Sequence, residues 1–492
     1  MKSHLFLLLA LVALGILLLV PAAVLHPLST LPDTNDTLLI TYIINQVQIN
    51  LLDPQKPLYW ATFFSSYQDT LAYSDLFLTT ATTTLPLRLL SVSPLLVYNF
   101  SLIASIFATS LTSFLLFHHL TRSPIASSTA ALIFVFSGFH FAHLPHLQIF
   151  NLTFLPLCLY FLLKFLDSSK KIFLHGFLLC GLLQTLNSIF AGYLVVLASL
   201  ILIMFHPRRS KILNLKSLIF FLPYFLLSLY ILLPYLQLQF SFPEAQRPLT
   251  DAAHFAHSLD SMFTAYPALS TLFLIVLFFP RKISCRHLPW ITLAFTSFIL
   301  SLGPVLKISQ HTFKLYNLPL PLPYALLYYT IPGFTGFRTP SRFVMLTLLG
   351  ISALLALSLA KLHLPPKFKV LLPPLILVLL ILNSPLPLPS YQTNLTPPAI
   401  YRQVKDLPPS AVILEWPPLL WNQPGNELES LRSLYSLTHQ HRRFGGYSGF
   451  APQSWINTVH TLQCQGLNPQ TYQLLRSLGI THLLLPGRLF SL

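Results

Sequence analysis

The chain has 492 residues, 54% of them hydrophobic and only 9% charged, with a mean hydropathy of +0.67. Soluble domains carry about 25% charged residues, so this composition excludes a soluble globular protein and indicates a membrane protein of many spans. The net charge of +16 invites a nucleic-acid reading, but the placement of the basic residues makes it a topology signal, and no nucleic-acid partner is expected.

Eleven apolar stretches reach or approach spanning length, at roughly 4–25, 94–117, 125–143, 146–166, 172–190, 191–206, 217–237, 262–280, 288–306, 341–360 and 368–387. The first follows Lys2 and is too long for a typical signal-peptide core, so an uncleaved anchor is expected. Cys158, Cys180, Cys285 and Cys464 are scattered, with neither metal-ligand spacing nor a disulfide framework. With the N-terminus inside, the inner loops hold Arg122; Lys164, Lys170 and Lys171; Arg208, Arg209, Lys211 and Lys216; Arg281, Lys282 and Arg286; and Lys361, Lys367 and Lys369. Of thirteen acids only Asp167 joins them. The positive-inside rule therefore predicts a multi-pass protein of the plasma (inner) membrane with a cytoplasmic N-terminus.

Four larger segments then lie outside: 26–93, 238–261, 307–340 and 388–492. Leu38 to Leu52 is semi-apolar and suits a helix lying in the membrane interface. Asn383 to Pro398 is proline-rich and reads as a linker. Beyond it, Ala411 to Trp416 and Thr481 to Leu485 read as strands, and Asn468 to Gly479 as a helix closed by glycine. The expected architecture is an α-helical polytopic membrane domain over 1–387, with about 11 transmembrane helices, and a small extracytoplasmic α/β domain over 388–492.

Candidate chemistry falls on the outer segments. Leu31-Pro32-Asp33-Thr34-Asn35-Asp36 puts two carboxylates three residues apart, on one face if the segment is helical. Such a pair suits a general base, a metal ligand or a cation site, or it simply caps the helix that follows. Asp75 sits in an apolar context near the second span. His140, His143 and His146 precede Gln148 at spacing three, but Pro145 interrupts a common helical face. Hydrogen-bonded histidines lining a polar cavity are expected there rather than a metal centre. Arg338 and Arg342 enter span ten, where they either snorkel or grip a phosphate beside Gly333 and Gly336. His439-Gln440-His441-Arg442-Arg443-Phe444-Gly445-Gly446-Tyr447-Ser448-Gly449-Phe450 is the densest polar-aromatic stretch; its glycines with Tyr and Phe suit a sugar-binding loop and equally a tight turn packed on aromatics, and Glu415-Trp416-Pro417 is open in the same way.

These pieces together resemble the GT-C glycosyltransferases and the YfhO-like bacterial membrane proteins grouped with them. The resemblance is carried by the Asp33–Asp36 loop, Tyr73-Ser74-Asp75-Leu76, His143-Leu144-Pro145-His146-Leu147-Gln148, Pro332-Gly333-Phe334 with Arg338 to Phe343, and Gly446 to Phe450. It implies transfer of a sugar from a polyprenyl-phosphate-linked donor to a glycan, lipid or protein acceptor. Asp33 or Asp36 would be the catalytic carboxylate and Arg338 a ligand of donor phosphate. Asp75, His140, His143, His146, Gln148, Arg342 and Tyr447 would line the substrate site. Leu31-Pro32 stands where many members have glycine, which leaves open which aspartate is catalytic. A divalent cation, Mg or Mn, between Asp and phosphate would offset charge. Two other classes stay in view: a transporter or flippase of lipid-linked glycans, and a non-catalytic membrane assembly protein.

Overall fold

Apolar runs that cannot satisfy their backbone groups in lipid must coil, and they do. Each stretch named above holds a helix, except 262–280, which lies outside the described residues. A computed structural model describes residues 2–212, 214–261, 283–363, 365–384, 390–392 and 395–492. Among the described residues, five helical segments are long and apolar enough to cross a membrane: Pro94–Thr121, Pro124–Ala142, Leu147–Ser168, Ile219–Ser241 and Pro340–Ala360. Ser3–Leu19, Ile189–Phe205 and Leu288–Ser301 are shorter apolar helices. Lys171–Asn187 and Pro366–Leu382 have 17 residues each, about 26 Å, slightly less than a hydrocarbon core. The first stretch breaks at Val20, ahead of Pro21, where the residue before proline leaves the helical region.

The chain divides into two compact units. The first comprises Met1–Val24, Leu102–Ile231 and Gln246–Leu388. Its helices approach closely through small residues, as membrane helices do. A Cβ on Gly350 of helix Val344–Ala360 would lie 2.9 Å from the Trp290 carbonyl oxygen of helix Leu288–Ser301. The same pair is tied by Ser297 Oγ and Thr347 Oγ1, 3.0 Å apart.

The second unit comprises Leu25–Ser101, Leu232–Ala245 and Pro389–Leu492. The first outer segment thus packs with the C-terminal hundred residues. Helix Asp36–Leu52 forms as expected, but Thr41, Asn45, Gln46 and Gln48 are fully buried, so it is interior to this unit and not a surface helix. Its amide N–H groups find partners: Gln48 Nε2 donates to Thr84 Oγ1 at 2.9 Å, and Asn50 Nδ2 to the Trp60 carbonyl at 2.7 Å. Thr30–Leu31 pairs antiparallel with Tyr391–Gln392.

A four-stranded sheet runs in the order Arg488–Ser491, His482–Leu485, Val412–Glu415, Arg442–Arg443. The first pair is antiparallel and the other two pairs are parallel. Parallel pairing needs crossovers, supplied by helices Glu427–Ser436, Gln453–Gln465 and Pro469–Ser477. The last of these starts with an Asn468 capping box, and Gly479 follows its end at φ +76°, as the sequence suggests.

Candidate functional site

Asp33 and Asp36 have different jobs. Asp33 lies before helix Asp36–Leu52 and accepts two backbone N–H groups, from Thr37 at 2.7 Å and Asp36 at 3.3 Å. Those donors are among the orphans every helix start must satisfy, so Asp33 is the cap. Asp36 opens the helix itself, half-buried, and its Oδ1 accepts the Tyr447 hydroxyl at 3.1 Å. Next to it, Asn35 Nδ2 donates to Asn426 Oδ1 at 3.1 Å. The aspartate loop is therefore held by side chains from near the other end of the chain.

Tyr447 can reach Asp36 because its loop is locked. Arg443 N donates to the Thr62 carbonyl at 2.6 Å, Ser65 N to the Arg443 carbonyl at 2.8 Å, and Phe64 N to the Gly445 carbonyl at 3.2 Å. The glycines permit this approach: a Cβ on Gly446 would meet the Phe64 ring at 2.9 Å, and one on Gly449 would collide with the Tyr73 carbonyl oxygen. Phe450 stacks on Tyr73 with centroids 4.3 Å apart, and Trp455 Nε1 donates to the Phe444 carbonyl at 2.8 Å. Of the two readings open for this loop, the turn packed on aromatics is what forms, with Tyr447 carrying its polar end to Asp36. Asp75 is half-buried in the same unit, one residue beyond Ser74, whose carbonyl accepts the Tyr235 hydroxyl at 2.7 Å. Asp69 is also half-buried there, and burial pushes its carboxyl pKa up.

Beneath the loop lies a charged network whose pairings the sequence did not reveal, although it drew attention to Glu415 and to Arg443 separately. The fully buried Arg443 guanidinium pairs with Glu415 and, at 3.1 Å, with Glu429; Glu429 also pairs with Arg432 at 2.7 Å. Tyr401 donates its hydroxyl to Glu415. Burial works to raise the Glu415 carboxyl, yet Arg443 and Arg432 outweigh it and hold its pKa below the ordinary value. Glu415 lies in the predicted strand, but its partner Arg443 is 28 residues on, a distance that no local periodicity spans.

The remaining candidates belong to the first unit. His140 is buried among Phe134, Phe139 and Phe150, with Nδ1 2.7 Å from Ser137 Oγ. It is a satisfied core histidine. His143 Nδ1 lies 2.9 Å from the Phe139 carbonyl, and its ring is 6.1 Å from that of His146. Pro145 does break the helix: His143 ends Gly138–Ala142 and His146 precedes Leu147–Phe150. Gln148 is half-buried. Among the described residues no three His, Cys, Asp or Glu side chains form a metal-ligand group. Asp33, one of the two carboxylates considered for a cation, has both oxygens on backbone N–H groups.

Arg338 lies over the Phe255 ring, 5.2 Å from its centroid, and acts on Arg247. Burial chiefly, then Arg338, brings the Arg247 pKa down to about 10 against the pull of Asp251. Arg247 is held by its N–H to the Thr335 carbonyl at 2.8 Å and by the Tyr328 hydroxyl on its own carbonyl at 2.5 Å. Next along the chain from Phe255, the Ala256 carbonyl accepts the buried Lys307 ammonium at 2.7 Å. His257 is depressed to about 4 by burial, with His143 and Lys307 acting in the same sense. Arg342 acts electrostatically on His143. Residues 255–257 thus gather Arg247, Arg338, Lys307 and His257 within one unit. Of the acids nearby, Asp260 accepts the Ser309 backbone N–H at 2.7 Å. The sequence flagged Arg338 and Arg342 but passed over Arg247 and Lys307, which join them only through tertiary contacts. No known family matches the chain, and no curated protein matches it.

Proposed function

We propose that this protein is an integral membrane glycosyltransferase of the GT-C kind, moving a sugar from a polyprenyl-phosphate donor to an acceptor on the extracytoplasmic face. The reading is carried by the division of labour at the first loop. Asp33 is spent on the helix start, while Asp36 is a half-buried carboxylate oriented by a tyrosine hydroxyl. Asp36 is then the general base, and Tyr447 is the residue that positions it. The acceptor oxygen attacks the anomeric carbon as its proton passes to Asp36. The bond from that carbon to the phosphate oxygen breaks, and polyprenyl phosphate leaves with the electron pair. Within the first unit, taken by itself, the cations around Phe255 are of the chemical type that binds a phosphate group.

The test uses purified protein in nanodiscs with a panel of labelled polyprenyl-phosphate sugars and a mixed acceptor pool, following loss of sugar from the lipid. Asp36→Asn is expected to lower turnover at least a hundredfold with the thermal midpoint preserved. Tyr447→Phe is expected to lower it by about tenfold, a few kcal/mol at most being available from one hydrogen bond to a charged group. Asp33→Asn is expected to lower the midpoint and keep turnover. Turnover indifferent to Asp36→Asn would remove Asp36 from the chemistry.

A further inference from the structure

Residues 302–339 connect helix Leu288–Ser301 to the apolar segment Pro340–Ala360 and fold as two successive hairpins before a short helix, Pro323–Thr330. Lys307–Ile308 pairs with His311–Thr312 around Ser309-Gln310, and Lys314–Leu315 pairs with Leu318–Pro319 around Tyr316-Asn317. All four turn residues have positive φ, which a two-residue hairpin requires and which Asn-Gly usually supplies. The first turn is polar and tied down, its Ser309 N–H donating to Asp260 at 2.7 Å. The second places a tyrosine at φ +51°, a strained conformation for a bulky residue, and leaves that ring 92% exposed. Leu315 and Leu318 flank it, 52% and 70% exposed. On helix Pro323–Thr330, Tyr324 is buried while Leu326 and Tyr329 are 64% and 74% exposed.

We propose that the Tyr316 hairpin and the Leu326–Tyr329 face insert into the boundary between headgroups and acyl chains of the bilayer. Continuity with the membrane helices argues for lipid as the occupant, since apolar helices at both ends of the segment hold it near the membrane surface. Its chemistry argues the same way. Tyrosines and leucines accompany the exposed cation Lys314, and no acid occurs between Asp260 and Asp406. Amphipathic rings with a basic residue are what the water–lipid interface selects, and a carboxylate would be repelled by anionic headgroups.

The experiment uses the full chain carrying Cys285→Ser and Cys464→Ser, with Tyr316→Cys or Tyr329→Cys labelled by an environment-sensitive fluorophore. The protein is placed in nanodiscs of two parts phosphatidylcholine to one part phosphatidylglycerol, with and without bromine on the acyl chains. Tyr230→Cys, at a site 78% exposed on segment Ile219–Ser241, is the acyl-chain reference, and Cys464 labelled in a separate chain carrying Cys285→Ser alone is the aqueous reference. Labels at 316 and 329 are expected to shift to the blue and to lose at least a third of their emission to bromolipid, closer to position 230 than to 464. Behaviour equal to Cys464 would overturn the proposal. Protection from bromolipid and iodide alike, with label-to-label quenching that grows with protein concentration, would assign the face to a second copy and overturn it too. Tyr316→Gly, which suits the turn, serves as the folding control: it is expected to keep the thermal midpoint and to halve the bromolipid effect at 329. None of these readouts depends on glycosyl transfer.

Discussion

His439 is stacked between Tyr401 and His441, with centroids 5.8 and 5.6 Å away, and its Nδ1 accepts the His441 backbone N–H at 3.1 Å. Burial first, then Arg443 and His441, bring its pKa down to about 3, against the attraction of Glu415. An unfolded histidine titrates near 6.5. Between those values the unfolded chain binds a proton that the native chain refuses, so stability falls as pH falls through that window. His257, held at about 4, contributes with the same sign. Glu415, depressed below its ordinary value, costs stability only in more acidic solution. The thermal midpoint followed by tryptophan fluorescence is therefore expected to drop from pH 7 to pH 5, where the histidines act alone among these groups. His439→Phe is expected to lower the midpoint at pH 7 yet flatten that slope. A wild-type midpoint constant over the interval would contradict the burial of these imidazoles. Arg443 illustrates the opposite solution to burial: two carboxylates and the Ser433 hydroxyl surround its guanidinium, and removing a partner from such a set typically costs about 3–5 kcal/mol.

Loop Gly445–Phe450 can be tested as an element. Gly449→Ala drives a methyl group into the Tyr73 backbone carbonyl, which cannot rotate away, whereas Gly446→Ala meets a Phe64 ring that can. Overpacking costs typically about 1–3 kcal/mol, so Gly449→Ala is expected at the upper end and Gly446→Ala at the lower, read from thermal midpoints. Equal midpoints for the two would mean the loop does not sit against Tyr73. The elements themselves were largely legible: apolar length marked the helices, short apolar runs marked strands Val412–Glu415 and His482–Leu485, and Asn468 with Gly479 marked a helix at both ends. The candidate site was legible in its residue types and not in its pairings. Asp36 and Tyr447 are 411 residues apart, and nothing periodic in either segment reports the other. Helix Asp36–Leu52 misleads for a related reason. Its polar residues suggest a wet face, but each finds a partner inside the unit, and a partner drawn from afar leaves no mark on local hydropathy.

At the scale of the whole molecule, the proposed orientation separates two native thiols. In that orientation Cys285 would lie in a basic inner loop and Cys464 in the outer C-terminal segment, and both are exposed. In intact spheroplasts a membrane-impermeant maleimide is expected to label Cys464 and to reach Cys285 only after permeabilisation. The reverse pattern would invert the topology and move Asp36 to the cytoplasmic side. The grouping of residues 25–101 with 389–492 also sets a schedule for biogenesis. At about 5–20 residues per second, synthesis reaches Tyr447 roughly 20–80 s after Asp36. Until then the buried Gln46 of helix Asp36–Leu52 awaits Gln440, and Asn35 just before the helix awaits Asn426. A chain cut short after its last span would be inserted but left permanently unfinished at its first loop, a natural target for membrane quality-control proteases.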